Sequence, residues 1–137
     1  MAAMSQYLEN ALLNCIFNGQ EFISPTIYIA LLLMPATATD TGTSISDSTG
    51  IGVEVSGPGY ARLSFPNWMV SQGIAENTIL INFPAATGEW GIIQGIAICD
   101  SLTNGNILFF GTLSAPQHIG IAQSTQFQPN YVTITLS

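Results

Sequence analysis

The chain has 137 residues, 47% of them hydrophobic, so it can bury a core and is not disordered for want of apolar surface. Only 7% of residues are charged, against roughly 25% in typical soluble domains. Arg62 is the sole cation beside eight carboxylates, for a net charge of −7. That balance excludes the counterion-releasing contacts that drive nucleic-acid binding and the polybasic contacts that hold proteins to anionic membranes.

A helix is predicted over residues 6–17. Ser5 is the expected N-cap, Asn18-Gly19 the expected stop, and Leu8, Leu12 and Cys15 recur at helical spacing. Tyr7, Ala11 and Ile16 widen this stripe, so one face is expected to be buried. Residues 26–33 follow as a continuously apolar strand with both faces covered, ended by Pro35. Residues 36–50 carry Ala, Thr, Ser, Asp and Gly without periodicity and are expected to form a long polar surface loop.

Short strands are expected at 53–56 and 60–65, on either side of a Gly-Pro-Gly turn at 57–59. Residues 78–83 alternate, with Ile79, Ile81 and Phe83 inward. Strands at 92–99 and 107–112 flank a turn marked by Asn104-Gly105, and strands at 126–127 and 131–136 close the chain. Seven or so strands with regular turns give a mainly β fold, an antiparallel sandwich or barrel with one N-terminal helix, as a single domain over 1–137. The longest apolar run, residues 27–34, is far short of the ~20 residues that span a bilayer, and the N-terminus lacks the pattern of a secretory signal.

Each chemical constellation has a plainer counterpart. His118, the only histidine, has Ser114 and Ser124 nearby in sequence, but no nucleophile elbow surrounds either serine. Glu76, Glu89 and Asp100 are candidate paired carboxylates for glycoside hydrolysis, with Trp90 beside Glu89 as a sugar-stacking ring; a solvated turn acid is the competing reading. Asp40 and Asp47 lie in an oxygen-rich loop without the spacing of a calcium-binding motif. Cys15 and Cys99 lack flanking motifs and are expected to be a buried pair of free thiols, with a disulfide as the alternative. Trp68, Trp90 and Tyr131 are candidate stacking platforms for host-surface glycan. No catalytic residue, metal or cofactor is assigned. Arg62 is expected to find Glu54 across the turn and to act in register and packing.

Several segments resemble a family of small tailed-bacteriophage virion proteins commonly labelled tail fibre proteins. They begin with Tyr7 to Asn14 (YLENALLN) and Gly19, then Pro25 to Leu31 (PTIYIAL) and Gly52 to Arg62 (GVEVSGPGYAR). Further along come Phe83 to Gly91 (FPAATGEWG), Gly95 to Asp100 (GIAICD) and Gly105 to Leu113 (GNILFFGTL), in the family's order. The chain departs from the pattern at Ala11, where members commonly carry lysine, and in the length of the 36–50 loop. The resemblance implies a non-enzymatic virion component, made in the host cytoplasm and assembled as a homo-oligomer. It is expected to contact other virion proteins on the tail fibre or baseplate, or to decorate and cement the capsid.

Closed cyclic association would cover strand edges and flat faces, so a homotrimer is expected, with the helix or terminal strands near its axis. The Asp40–Asp47 loop and the Asn104-Gly105 tip would then project outward. Tyr7, Leu8, Leu12, Tyr60, Arg62, Trp90 and Asp100 are the structural and interface candidates.

Overall fold

The computed structural model describes residues 2–136. In chain order the elements are β1 (Ala2–Met4), α1 (Gln6–Asn18), β2 (Tyr28–Met34), α2 (Gly42–Asp47), β3 (Val53–Glu54), β4 (Leu63–Ser64), β5 (Trp68–Ser71), β6 (Ile74–Asn77), β7 (Ile81–Asn82), β8 (Gly91–Cys99), β9 (Ile107–Ile119), β10 (Gln126–Phe127) and β11 (Thr133–Thr135). The architecture is mainly β, sandwich-like and not closed into a barrel. A 9-stranded sheet runs β3-β2-β8-β9-β1-β11-β6-β5, with β4 also on β2, and β10 pairs β7 in a small second sheet. All pairings are antiparallel except the contact of β1 with β11.

The central strands explain why this sequence needs so little charge. Successive side chains of a strand point to opposite faces, and both faces of β2 are covered. Ile29 and Leu31 enter the main core with Ile98, Phe83, Phe127 and Ile134, while Ala30 and Leu32 enter a second cluster with Ile45, Ala97, Cys99 and Ile107. All four β2 residues are fully buried, as the uninterrupted apolar run predicts.

Four local expectations change. First, the polar 36–50 segment contains α2, which starts with a reciprocal capping box between Thr41 and Ser44 and buries Ile45. Its helical signal is one apolar residue and a cap, too little for a periodicity to register. Second, the 78–83 strand is broken. Fully buried Asn77 donates from Nδ2 to the carbonyls of Ile79 and Gln128 and accepts from the Val132 amide, which turns the chain out of the ladder. Ile81 and Phe83 are buried as expected, but Ile79 faces solvent.

Third, the strands expected at 53–56 and 60–65 shrink to β3 and β4, two residues each. Fourth, α1 forms with the expected cap and stop, yet Leu8 is its only buried residue. Leu12 is half-buried, and Tyr7, Ile16 and Cys15 are exposed. Both cysteines are free, so the expected buried pair does not form: Cys15 sits on the open helix and Cys99 in the core.

Candidate functional site

The chain's one cation sits at the centre of its densest polar network. Arg62 is held just before β4, opposite the end of β3, which brings its guanidinium against Glu54. Arg62 Nε and Nη2 donate to the two Glu54 oxygens at 2.9 Å each. The other Nη2 hydrogen goes to the Gly42 carbonyl at 2.9 Å, and Nη1 donates to the carbonyls of Ser101 and Asn104 at 2.9 and 2.8 Å. All five guanidinium hydrogens are thereby used. Tyr60 completes the network by donating its hydroxyl to Glu54 Oε2 at 2.5 Å and accepting from the Leu31 amide at 3.1 Å.

Arg62 and Glu54 are both buried, so the pair is desolvated and its geometry decides its worth. Burial works most strongly against the arginine's charge, but hydrogen bonding to Glu54 and the interactions with neighbouring Cys99, Glu54 and Tyr60 together outweigh it and raise Arg62 above its ordinary value. Burial, reinforced by the Glu54 charge, pushes the Tyr60 hydroxyl far above its ordinary range. With every donor committed inward, the network presents no positive charge to a ligand.

The same network joins the 36–50 segment to the Asn104-Gly105 turn. Gly42 opens α2 directly beneath the 100–106 turn, where an added Cβ would lie 1.9 Å from the Asn104 carbonyl oxygen. That turn has positive φ at both Asn104 (53°) and Gly105 (71°), as the Asn-Gly pair predicts. Asp100 braces it, accepting from the Asn106 amide at 2.8 Å and from Asn106 Nδ2 at 3.1 Å. The α2 segment and the turn are therefore bound to each other through Arg62.

Asp40 has a comparable internal role. Its carboxylate accepts from the amides of Thr37, Ile51 and Gly52 and from the hydroxyls of Thr37 and Ser44, at 2.8–3.2 Å. Burial raises its pKa, but these hydrogen bonds outweigh it and leave the carboxyl below its ordinary value. A carboxylate saturated by N–H and O–H donors has no free lone pair for calcium. Asp47 is occupied separately, by the Thr49 amide and hydroxyl. Among the described residues, no group of three or more His, Cys, Asp or Glu side chains gathers where a metal ion could be held.

The hydrolase candidates are dispersed. Asp100 is part of its turn, Glu76 lies on β6, and Glu89 meets His118 instead of a second acid, with Oε2 2.5 Å from Nε2 on an open surface. This contact spans 29 residues and had no local sequence signal. Ser114 is hydrogen-bonded to Tyr131 at 3.1 Å, not to His118. Trp90 is buried, donates Nε1–H to the Pro58 carbonyl at 2.7 Å and packs edge-on against Tyr60, so it offers no stacking platform. Trp68 donates to the Phe65 carbonyl and is half-buried, and exposed Tyr131 stacks on Phe127.

The outward features are apolar. On α1 and just beyond it, Leu13, Ile16 (72% exposed), Phe17 (76%) and Ile23 (75%) face solvent. Elsewhere a groove of about 320 Å³ opens between β5, β6 and β11 and the ends of β8 and β9, lined by Trp68, Val70, Ile74, Phe109, Ile134 and Leu136. No charged residue lines it. Tyr7, Leu8 and Leu12 lie on α1, whereas Tyr60, Arg62, Trp90 and Asp100 are internal braces. Among the described residues, no helix is long and apolar enough to cross a membrane.

No curated protein matches the chain. The family model described as podophage GP4 fiber I protein gp80 matches residues 3–135. That match spans both cores, the Arg62 network and the open helix. The chain therefore belongs to the podophage GP4 fiber I protein gp80 family, a family of bacteriophage fibre structural proteins.

Proposed function

We propose that the protein is a non-enzymatic module of a tailed-phage virion fibre that acts as a homotrimer, a single domain bound to its own copies and to neighbouring virion proteins. The observation that carries this reading is the contrast between its inward chemistry and its outward surface. The one cation is consumed inside the fold, while large apolar side chains on α1 stand in solvent. Exposed apolar clusters of this kind mark protein–protein contacts, whose cores are depleted in Lys, Glu and Asp. A 13-residue helix is also marginal by itself and draws its stability from packing, and Leu8 is the one residue of α1 that is buried. Synthesis in the host cytoplasm and assembly into the particle follow from this reading.

Sedimentation of the purified chain tests it, with a trimer expected; a monomer at tens of micromolar would overturn the homo-oligomer. Location on the particle is read from copy number per virion. A handful to a few dozen copies fit a fibre or baseplate, and hundreds would instead make it a capsid decoration or cement protein. The glycan-binding alternative now rests on Trp68 and Tyr131 alone, since Trp90 is buried. Glycan-array binding lost on Tyr131→Ala would favour it.

A further inference from the structure

The apolar helix end and the apolar groove are made by different residues. On β9, Phe109 packs with the main core on the groove side, and its neighbour Phe110 packs with the second cluster, on the α2 side. The N-terminal end of α1 is anchored by the Gln6 amide, which donates to the Ala38 carbonyl, and by Ser5, which is tied to the backbone of β9. No α1 residue lines the groove. The chain thus carries an unfilled apolar recess and, on other residues, an uncovered apolar projection.

Charge narrows what fills the recess. Each copy carries −7, and its lone arginine is already paired, so two copies can meet favourably only where carboxylates are absent. The groove contains none of the eight acids. The end of α1 presents Leu13, Ile16 and Phe17 without a charge among residues 10–20. We propose that Ile16 and Phe17 of one copy insert into the Trp68–Val70–Leu136 groove of a second copy. This contact rests on the homo-oligomer reading and gives it a geometry. Joining two different surfaces makes the interface head-to-tail, the kind that closes into a ring when the rotation per copy permits. The α1 helices then reach outward around the ring, instead of bundling on its axis.

Two substitutions at exposed positions test the contact with the full chain. Phe17→Asp disables the projection, and Val70→Trp fills the recess from its rim. Each variant is expected to keep the wild-type circular dichroism and thermal transition but to sediment as a monomer. An equimolar mixture is expected to form a dimer, because one sound helix end then meets one sound groove. A helix bundle on the axis predicts no such rescue, and its absence would overturn the proposal. Ile16→Cys with Val70→Cys, in a Cys15→Ser background, gives a second readout: oxidation is expected to link copies into covalent oligomers on a non-reducing gel. If the wild type is a trimer and both single variants remain trimers, the groove contact is wrong while the homo-oligomer stands. A monomeric wild type overturns both. Variants that stay trimeric but no longer enter virions would assign the groove to a different virion protein, which also overturns the proposal.

Discussion

Arg62 and Glu54 form a two-point ion pair inside the protein, with Nε and Nη2 each 2.9 Å from a different carboxylate oxygen. The pair ties β3 to the residues before β4, and the remaining guanidinium hydrogens extend the tie to α2 and the 100–106 turn. Replacing Arg62 by Met leaves a buried carboxylate without its partner and three carbonyls without a donor. Removing one member of a buried pair costs about 3–5 kcal/mol, and Arg62→Met is expected to fall in that range by urea unfolding. Lysine cannot reproduce the fork, so Arg62→Lys should recover less than half of the loss. The double replacement Arg62→Met with Glu54→Leu should cost less than the sum of the single ones, and strict additivity would show that the two side chains are energetically independent.

How much of this was visible in the sequence depended on distance along the chain. Glu54 was the expected partner because a lone cation eight residues from an acid, across a Gly-Pro-Gly turn, has little choice. The carbonyls of Ser101 and Asn104 lie 39 and 42 residues away and left no trace in local pattern. Ser5 and Gly19 marked α1 because caps are local chemistry. By contrast, β1 owes its existence to β9 and β11, both more than 100 residues downstream. The β5–β6 hairpin was missed because its sequences, WMVS and IAEN, do not alternate. The helical stripe predicts a buried face, but among its residues only Leu8 is buried. The groove belongs to no one segment, since it forms where the sheet stops short of closing.

Asp40 should make the protein sensitive to acid. Its folded-state pKa lies below the unfolded value of about 3.9, so its stabilisation is complete above that value and is lost as pH falls through the folded pKa. Asp40→Asn keeps the shape but replaces one acceptor oxygen with a donor that faces amides and hydroxyls. The variant is expected to lose about 1–3 kcal/mol at pH 7, and the gap between variant and wild type should begin to narrow as pH falls below about 3.9. Denaturant melts at pH 7, 5 and 3 measure this, and a gap independent of pH would rule out the carboxylate as its source.

Ser5 serves two elements with one hydroxyl. It accepts from the Leu8 amide at 3.2 Å as the α1 cap, and it donates to the Ile107 carbonyl at the start of β9. Both bonds are buried, so Ser5→Ala should exceed the ~1 kcal/mol typical of a lost cap and reach about 2–3 kcal/mol with the orphaned carbonyl included. Ser5→Thr keeps the hydroxyl but adds a methyl group at a site with no exposure, and should fall between the two. Thermal unfolding of the three proteins gives the order, and equal stability of Ser5→Ala and wild type would mean that the cap contributes nothing here.

The two thiols should respond to reagents in opposite ways. Cys15 is exposed on the open helix, whereas Cys99 is fully buried in the second cluster beside Ala97 and Ile107. Burial pushes the Cys99 thiol up to about 12, so at neutral pH it is both shielded and protonated. Since thiolate is the reacting form, a thiol-selective reagent at pH 7.5 is expected to modify one cysteine per native chain, at Cys15, and the second only after unfolding. Peptide mapping after a short pulse identifies which one reacted. Cys99→Ala should leave the pulse yield unchanged while lowering stability by about 1–2 kcal/mol through the small cavity it opens. Native labelling at Cys99 would mean that the face of the sheet covered by α2 opens far more often than its packing and the Arg62 tie allow.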